Sequence, residues 1–242
     1  RDVTSVGIND LRKDGPGQVT DKLIQLAPGA VCVVNAVDYR DLEVFVHGMM
    51  AAREAGSRFV CRTAASFVRV RCGIVPRELL AADELVQQSS YGGLFVVGSY
   101  VPKTTQQINA LLQRGDLEAV EVDVEQLLRP DRHSDTVAAA TAAVNRAIGA
   151  GRDALLVTSR KLIKTETAAG SLDIGRNVSD SLIAIVRGLS HQPRYLVAKG
   201  GITSSDVATL GLEVKKAMVL GQILPGVPVW RLGPETRYPG MA

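Results

Sequence analysis

The chain has little with which to build a disulfide framework or a metal centre. Its 242 residues hold three cysteines and three histidines. Cys32, Cys61 and Cys72 are odd in number and form no Cys-x-x-Cys pair, which argues against a disulfide scaffold and a zinc ribbon. Cys32 in VCVV and Cys61 in FVCR lie in strand-like runs, and both are expected as buried free thiols of a cytoplasmic protein. His47, His133 and His191 are far apart, without HExxH spacing, and no metal ligand is assigned from them. His47 falls on a helix face, His133 in the polar loop RPDRHSD, and His191 past a helix end, where a positive charge suits the helix dipole. Aromatic residues make up 4% of the chain and the formal net charge is only +3. No basic run is interleaved with aromatics, so nucleic acid is not an expected partner. The apolar runs fall well short of the roughly 20 residues of a membrane span, no secretory leader is visible, and no membrane partner is expected. A Walker A loop, a GxGxxG turn and a GxSxG elbow are all missing.

Ala, Val, Leu and Gly dominate instead. Small and aliphatic residues suit helices packed on a parallel sheet. From Leu94 onward the chain alternates strand and helix patterns joined by short loops. LFVVGS, LEAVEVD, DALLVTS and RYLVAKGG read as strands. TTQQINALLQRG, SDTVAAATAAVNRAIGAG, NVSDSLIAIVRGLS and TSSDVATLGL read as helices. The pattern predicts a three-layer α/β domain with a mainly parallel sheet. KLIKTETAAGSLDIGRN, residues 161–177, has no clear period and is expected as a long excursion at the strand edge. The stretch from Lys215 to Gly240 reads as short strands joined by Gly- and Pro-containing turns.

Before Leu94, VCVVNAV reads as a strand, YRDLEVFVHGMMAAREAG as a helix and SRFVCRT as a second strand, a βαβ unit with a right-handed crossover. Pro76 fits the first turn of a short helix. The polar run from Gln87 to Gly93 reads as a linker. The expected organisation is therefore part of a second α/β domain over 1–86 and a nucleotide-binding domain over 87–242. The opening RDVTSVGINDL reads as the continuation of something earlier, so the chain is expected to be a piece of a longer one.

Three strand ends carry the chemistry. YLVAKGGITSSDVA, from Tyr195 to Ala208, delivers Gly200 and Gly201 to the carboxyl edge, where α/β sheets bind ligands. Two residues without side chains let the backbone approach a phosphate. Thr203, Ser204 and Ser205 then open a helix whose first amides and hydroxyls can donate, and Lys199 brings a full charge. VVGSYVPKTTQQI places Gly98 and Ser99 similarly, and LLVTSRK places Thr158, Ser159, Arg160 and Lys161. Together they describe a polar cleft of nucleotide size. Asp123, at the end of LEAVEVD, is a candidate Mg²⁺ ligand. The first strand–helix turn has no glycine fingerprint, which disfavours a dinucleotide-dependent dehydrogenase.

LVAKGGITSSDVAT, GQILPGVPVWRLGPETRYPG and VVGSYVPKTTQQI, in this order and spacing, resemble the four-carbon acid sugar kinase family, and KGGITSSD is similar to its 3-oxo-tetronate 4-kinase branch. CRTAASFVRVRCGI is similar to the second part of the family's substrate-binding domain. The resemblance implies ATP-dependent phosphorylation of a terminal hydroxyl on 3-oxo-tetronate, threonate or erythronate, with Mg²⁺ on the phosphates. It implies that Ser99 contacts ATP and that Gly200, Gly201, Ile202 and Thr203 form the phosphate-binding turn. Arg62 and Arg69 are candidates for the substrate carboxylate by their bidentate fork. The family's Asp-Asp…Thr-Gly motif and its Phe-Pro-Gly-Asn-Val-Gly segment do not occur here. No catalytic base is therefore assigned, and the expectation is a piece that binds nucleotide yet transfers phosphate poorly. The alternative is a non-catalytic nucleotide- or phosphate-binding module, or an inactive fragment of such a kinase. Association into a homo-oligomer is compatible with the sequence but has no signature in it.

Overall fold

The computed structural model describes residues 3–85, 89–98, 101–160, 163 and 168–242. It divides into two compact units, Arg1–Arg77 and Glu78–Ala242. No helix among the described residues is long and apolar enough to cross a membrane.

In the first unit, β1 (Val3–Val6) leads through a π-helical turn (Asp10–Asp14) into α1 (Gly15–Ile24), β2 (Val31–Val34) and α2 (Tyr39–Glu54). β1 and β2 pair in parallel, Val3 opposite Val31 and Val6 opposite Val34. The βαβ unit therefore precedes the one expected from the sequence. SRFVCRT forms no strand: residues 57–64 have no regular structure and Cys61 is exposed, as is Cys72. A strand needs a partner ladder, and a short β-rich run without one stays irregular. α3 (Ala65–Arg71) follows, and no helix begins at Pro76. α2 starts on a capping box in which the Asp38 side chain accepts from the Asp41 amide and Asp41 reaches back, closing two first-turn donors at once. Phe45, Val46, Met49 and Ala52 of α2 meet Val6, Leu11, Val19 and Leu23 in one core. Asp41 is only 3% exposed. Arg12 grips it with two hydrogen bonds, at 2.8 and 2.9 Å. Those bonds first, and the Val37 amide next, hold its carboxyl well below the usual carboxylate range.

The second unit opens with a single helical turn, α4 (Ala82–Leu85). Then come β3 (Leu94–Val97), α5 (Pro102–Leu112), β4 (Leu117–Val122), α6 (Val124–Leu127), α7 (His133–Gly149), β5 (Asp153–Thr158), α8 (Ala168–Arg187), β6 (Leu196–Lys199) and α9 (Gly201–Asp206). α9 runs into a π-helical turn at Val207–Gly211, and a hairpin of β7 (Ala217–Leu224) and β8 (Val227–Leu232) follows. The four central strands are all parallel, in the order β4-β5-β3-β6. Successive residues of each strand face opposite layers. Leu94, Val96, Val120, Ala154 and Leu156 pack with Val144 and Ile148 of α7 and Leu182 and Ile185 of α8. Val97, Leu155 and Val157 pack with Ile108 of α5. The three-layer α/β architecture is thus present.

Two local readings change. α8 begins at Ala168, so the second half of the expected excursion is helix. Gly92 and Gly93, read as linker, pack at the amino edge of the sheet. There the Gly93 amide donates to Asp153 at 2.6 Å, which also accepts from Tyr195 at 2.5 Å and Arg194 at 3.0 Å. Burial first, and the Asp153 hydrogen bond second, push the Tyr195 phenol above its ordinary value.

Candidate functional site

Pairing register sets the floor of the site. Val97 of β3 lies opposite Val157 of β5 and Lys199 of β6. Gly98, Thr158 and Gly200 therefore share the next level, at the carboxyl edge of the sheet. The chain leaves this edge in two directions. After β3 it crosses to the α5 layer, whereas after β5 and β6 it crosses to the layer of α7 and α8. Such a divergence is the topological switch point at which α/β sheets open a crevice.

Gly200 stands at φ 115°, ψ 139°, a conformation that side chains strongly disfavour. It turns the chain from β6 directly into α9. The first intrahelical bond runs from the Ser204 amide to the Gly200 carbonyl at 2.8 Å. The amides of Gly201, Ile202 and Thr203 thus have no acceptor within the helix, as the first turn of any helix requires. A Cβ built on Gly201 meets nothing within 4 Å. Ile202 is 75% exposed, and Lys199 is exposed. First-turn amides without helical acceptors, beside an open glycine and next in sequence to an exposed lysine, suit an anion.

Two of the sequence-selected loops meet here. A Cβ on Gly98 would lie 2.6 Å from the Thr203 hydroxyl oxygen and 3.1 Å from a Leu182 methyl. Only a glycine at the end of β3 lets Thr203 settle against that strand. Ser99, the next residue, lies outside the described residues, and so does Lys161. The third loop touches the site's surroundings rather than its cradle. Arg160 donates to the Thr105 hydroxyl at 2.8 Å and to the Val101 carbonyl at 3.4 Å, tying the end of β5 to the start of α5. The Ser159 hydroxyl accepts from the Val124 amide at 3.1 Å. Asp123 accepts from the Glu125 amide at 2.8 Å and caps α6, which accounts for its place at the strand end.

The hydroxyls of the KGGITSSD stretch divide. Ser204 donates to the Ala198 carbonyl at 2.9 Å and latches α9 onto β6, so it serves the turn and not a ligand. Asp206 accepts from the Ser179 hydroxyl at 2.5 Å. That bond between α9 and α8 was not foreseen, because no local spacing links residues so far apart. Among the histidines, His47 is exposed and His191 stacks on Tyr91 at 4.4 Å. His133 meets the buried Ser181 hydroxyl at 3.2 Å. Ser181 gives its proton to the Asn177 carbonyl at 2.7 Å, so the imidazole is the donor of that pair. In the first unit, Arg69 lies over the Tyr39 ring at 4.0 Å, while Arg62 is exposed.

Family comparison adds to this geometry. A family model described as the nucleotide-binding C-terminal domain matches residues 94–242, and one described as the sugar-binding N-terminal domain matches residues 1–71. No curated protein matches the chain. Among solved structures, a Salmonella typhimurium LT2 protein described as a "putative tRNA synthase" is 18% identical, with a TM-score of 0.64 over 97% of this chain and 54% of that one. A Bordetella bronchiseptica domain of unknown function (DUF1537), a domain-swapped dimer with bound citrate, is 21% identical over 95% of this chain and 51% of that one, with a TM-score of 0.45. The first of these shares the fold. The chain spans about half the length of both. With its two parts so matched, the chain belongs to the family that joins a sugar-binding N-terminal domain to a nucleotide-binding C-terminal domain, the architecture of the four-carbon acid sugar kinases.

Proposed function

We propose that this chain is the nucleotide-holding part of a kinase that transfers the γ-phosphoryl group of ATP to a terminal hydroxyl of a four-carbon sugar acid: 3-oxo-tetronate, threonate or erythronate. The observation that carries the reading is the Gly200–Thr203 turn, whose first-turn amides have no acceptor within α9 and whose Gly201 opens onto free space, at the switch point of the sheet. In the transfer, the substrate hydroxyl oxygen bonds to phosphorus as the bond to ADP breaks, and the hydroxyl proton leaves to a base. The protein's share of such chemistry is positioning and charge neutralisation. The amides of Gly201, Ile202 and Thr203 hold phosphate oxygens, Lys199 adds charge, and Ser99 supplies a further ATP contact. Mg²⁺ fits as a companion of the phosphates. Such ions are carried by phosphate oxygens, water and one or two carboxylates, so the phosphates of the nucleotide would supply most of its ligands.

Calorimetric titration with Mg·ATP of the parent and of Gly201→Asp tests the turn. The new side chain enters open space, so the fold tolerates it. Its carboxylate would stand within about 4 Å of a bound phosphate, a repulsion of up to ~4 kcal/mol per unit charge near a protein surface. The expected result is binding in the parent that falls tenfold or more, about 1.4 kcal/mol, in the variant. Equal binding by both would remove the nucleotide from this turn. A coupled phosphoryl-transfer assay with the three acids on the full-length protein then tests the substrate class.

A further inference from the structure

Between Arg53 and Arg77 the sequence carries six arginines against one carboxylate, Glu54. A run of like charge on the surface is ordinarily solvated. Here the fold folds part of it around a concavity. The last turn of α2, the irregular segment after it and α3 enclose a cleft of about 390 Å³, lined by Met49, Arg53, Arg58, Phe59, Cys61, Phe67 and Arg71. Arg53 and Arg71 also line a smaller neighbouring hollow that includes Glu54. Among the described residues, none of the ion pairs involves Arg53, Arg58 or Arg71. Three arginines without a carboxylate partner among the described residues thus line one concavity, together with Phe59, Phe67 and Met49. The volume is that of a small-molecule site.

The cleft is remote from the carboxyl edge of its own sheet. α2 leaves that edge at Asp38 and runs 16 residues, so Arg53 lies roughly 20 Å along the helix axis from its cap. We propose that this cleft binds a small organic anion, one or more phosphate or carboxylate groups on an apolar body, independently of the nucleotide turn. The guanidinium forks take the anionic groups in bidentate fashion. Met49, Phe59 and Phe67 take the apolar body. A polyhydroxylated sugar acid suits the forks but not that wall, since its hydroxyls would be desolvated against carbon.

Cys61 on the cleft wall is an internal reporter, and Cys72, also exposed, is its control. Trypsin separates them, since Cys61 falls in Phe59–Arg62 and Cys72 in Cys72–Arg77, or in residues 70–77 of the Arg71→Gln variant. The chain is alkylated with neutral iodoacetamide in the presence of phenyl phosphate, inorganic phosphate, threonate or sodium chloride at matched ionic strength, and each peptide is quantified by mass spectrometry. Phenyl phosphate near saturation is expected to slow alkylation of Cys61 about fivefold or more and to leave Cys72 unchanged. Inorganic phosphate and threonate protect more weakly. Arg53→Gln and Arg71→Gln each raise the concentration needed about tenfold, the loss of one charge-assisted hydrogen bond. Circular dichroism confirms that both variants fold. The proposal fails if Cys61 is not protected, if chloride or threonate protects as well as phenyl phosphate, or if neither arginine variant changes the response.

Discussion

Gly98→Ala tests whether the ends of β3 and β6 form one site. The added methyl group would lie 2.6 Å from the Thr203 hydroxyl oxygen and 3.1 Å from the Leu182 methyl. Ordinary contact between such atoms is about 3.5–4.0 Å, so Thr203 must retreat by roughly 1 Å. Leu182 is 1% exposed in the core and gives little. Overpacking of this kind costs about 1–3 kcal/mol. In a unit of this size each kcal/mol moves Tm by about 2–4 °C, so a fall of about 2–12 °C is expected. Thr203 carries the third free amide of the turn, so the same displacement weakens Mg·ATP binding. Adding Thr203→Ala removes the clashing hydroxyl and returns part of the lost stability. The thermal shifts of the two single variants and the double therefore fail to add, with a coupling of about 1 kcal/mol or more. Differential scanning calorimetry measures all four proteins. Additive shifts, or a Gly98→Ala protein with unchanged Tm and unchanged ATP affinity, would refute the contact and with it the joining of the two loops.

The adjacent glycines of the turn should behave oppositely. Gly200→Ala forces a side chain into φ 115° and costs about 1–3 kcal/mol, whereas Gly201→Ala enters open space and leaves Tm nearly unchanged; equal shifts would contradict the turn geometry. Ser204→Ala loses the 2.9 Å bond to the Ala198 carbonyl and about 0.5–1.5 kcal/mol, while Mg·ATP affinity, read by calorimetry, changes far less than in Gly201→Asp. The Asp41 carboxyl is held below its unfolded value, by Arg12 foremost. Its contribution is full above about pH 4 and is lost as pH falls further, because the unfolded chain takes up the proton first. Thermal unfolding followed from neutral pH to about pH 3 should show a shallower acid loss in Asp41→Asn; an unchanged slope would show that this pair does not govern the acid response.

The parallel sheet was legible because its strands are short apolar or alternating runs bounded by turn residues, and the helices between them carry clear apolar stripes. The run SRFVCRT shows the limit of that signal. It carries Phe59, Val60 and Thr63 in a short run like a strand's, yet residues 57–64 are irregular, because a strand depends on a partner that composition does not reveal. VTSV at the start of the chain, a shorter run, forms β1, since VCVV pairs with it. The first half of α8 was hidden by Gly170 and Gly175, which lower helix propensity. The helix forms there nonetheless, an instance of context overriding propensity. At the site, the GG turn was legible as a backbone device. The fates of the hydroxyls were not, because Ser204 and Thr203 differ only in which carbonyl or glycine the fold brings beside them.

The site's position follows from strand order before any side chain is considered. A right-handed crossover from β3 to β4 moves two places toward one edge, so α5 must cover one face. Crossovers from β4 to β5 and from β5 to β6 move the other way, so α7 and α8 must cover the opposite face. At the carboxyl edge the chain therefore parts on either side of β3. Gly98 ends β3, and Gly200 ends its neighbour β6. Each is a glycine for a different reason, one for the approach of Thr203 and the other for its dihedral angles. A crevice opened by topology would admit many ligands. On the proposed function, the preference for an anion comes from the turn after β6, whose first three amides have no acceptor within the helix. On the proposed function, the sheet sets the place and four residues, Gly200 to Thr203, set the chemistry. Substitutions in the strands should therefore alter stability with little change in ligand class, whereas a single carboxylate at Gly201 should weaken anion binding tenfold or more in a chain that still folds.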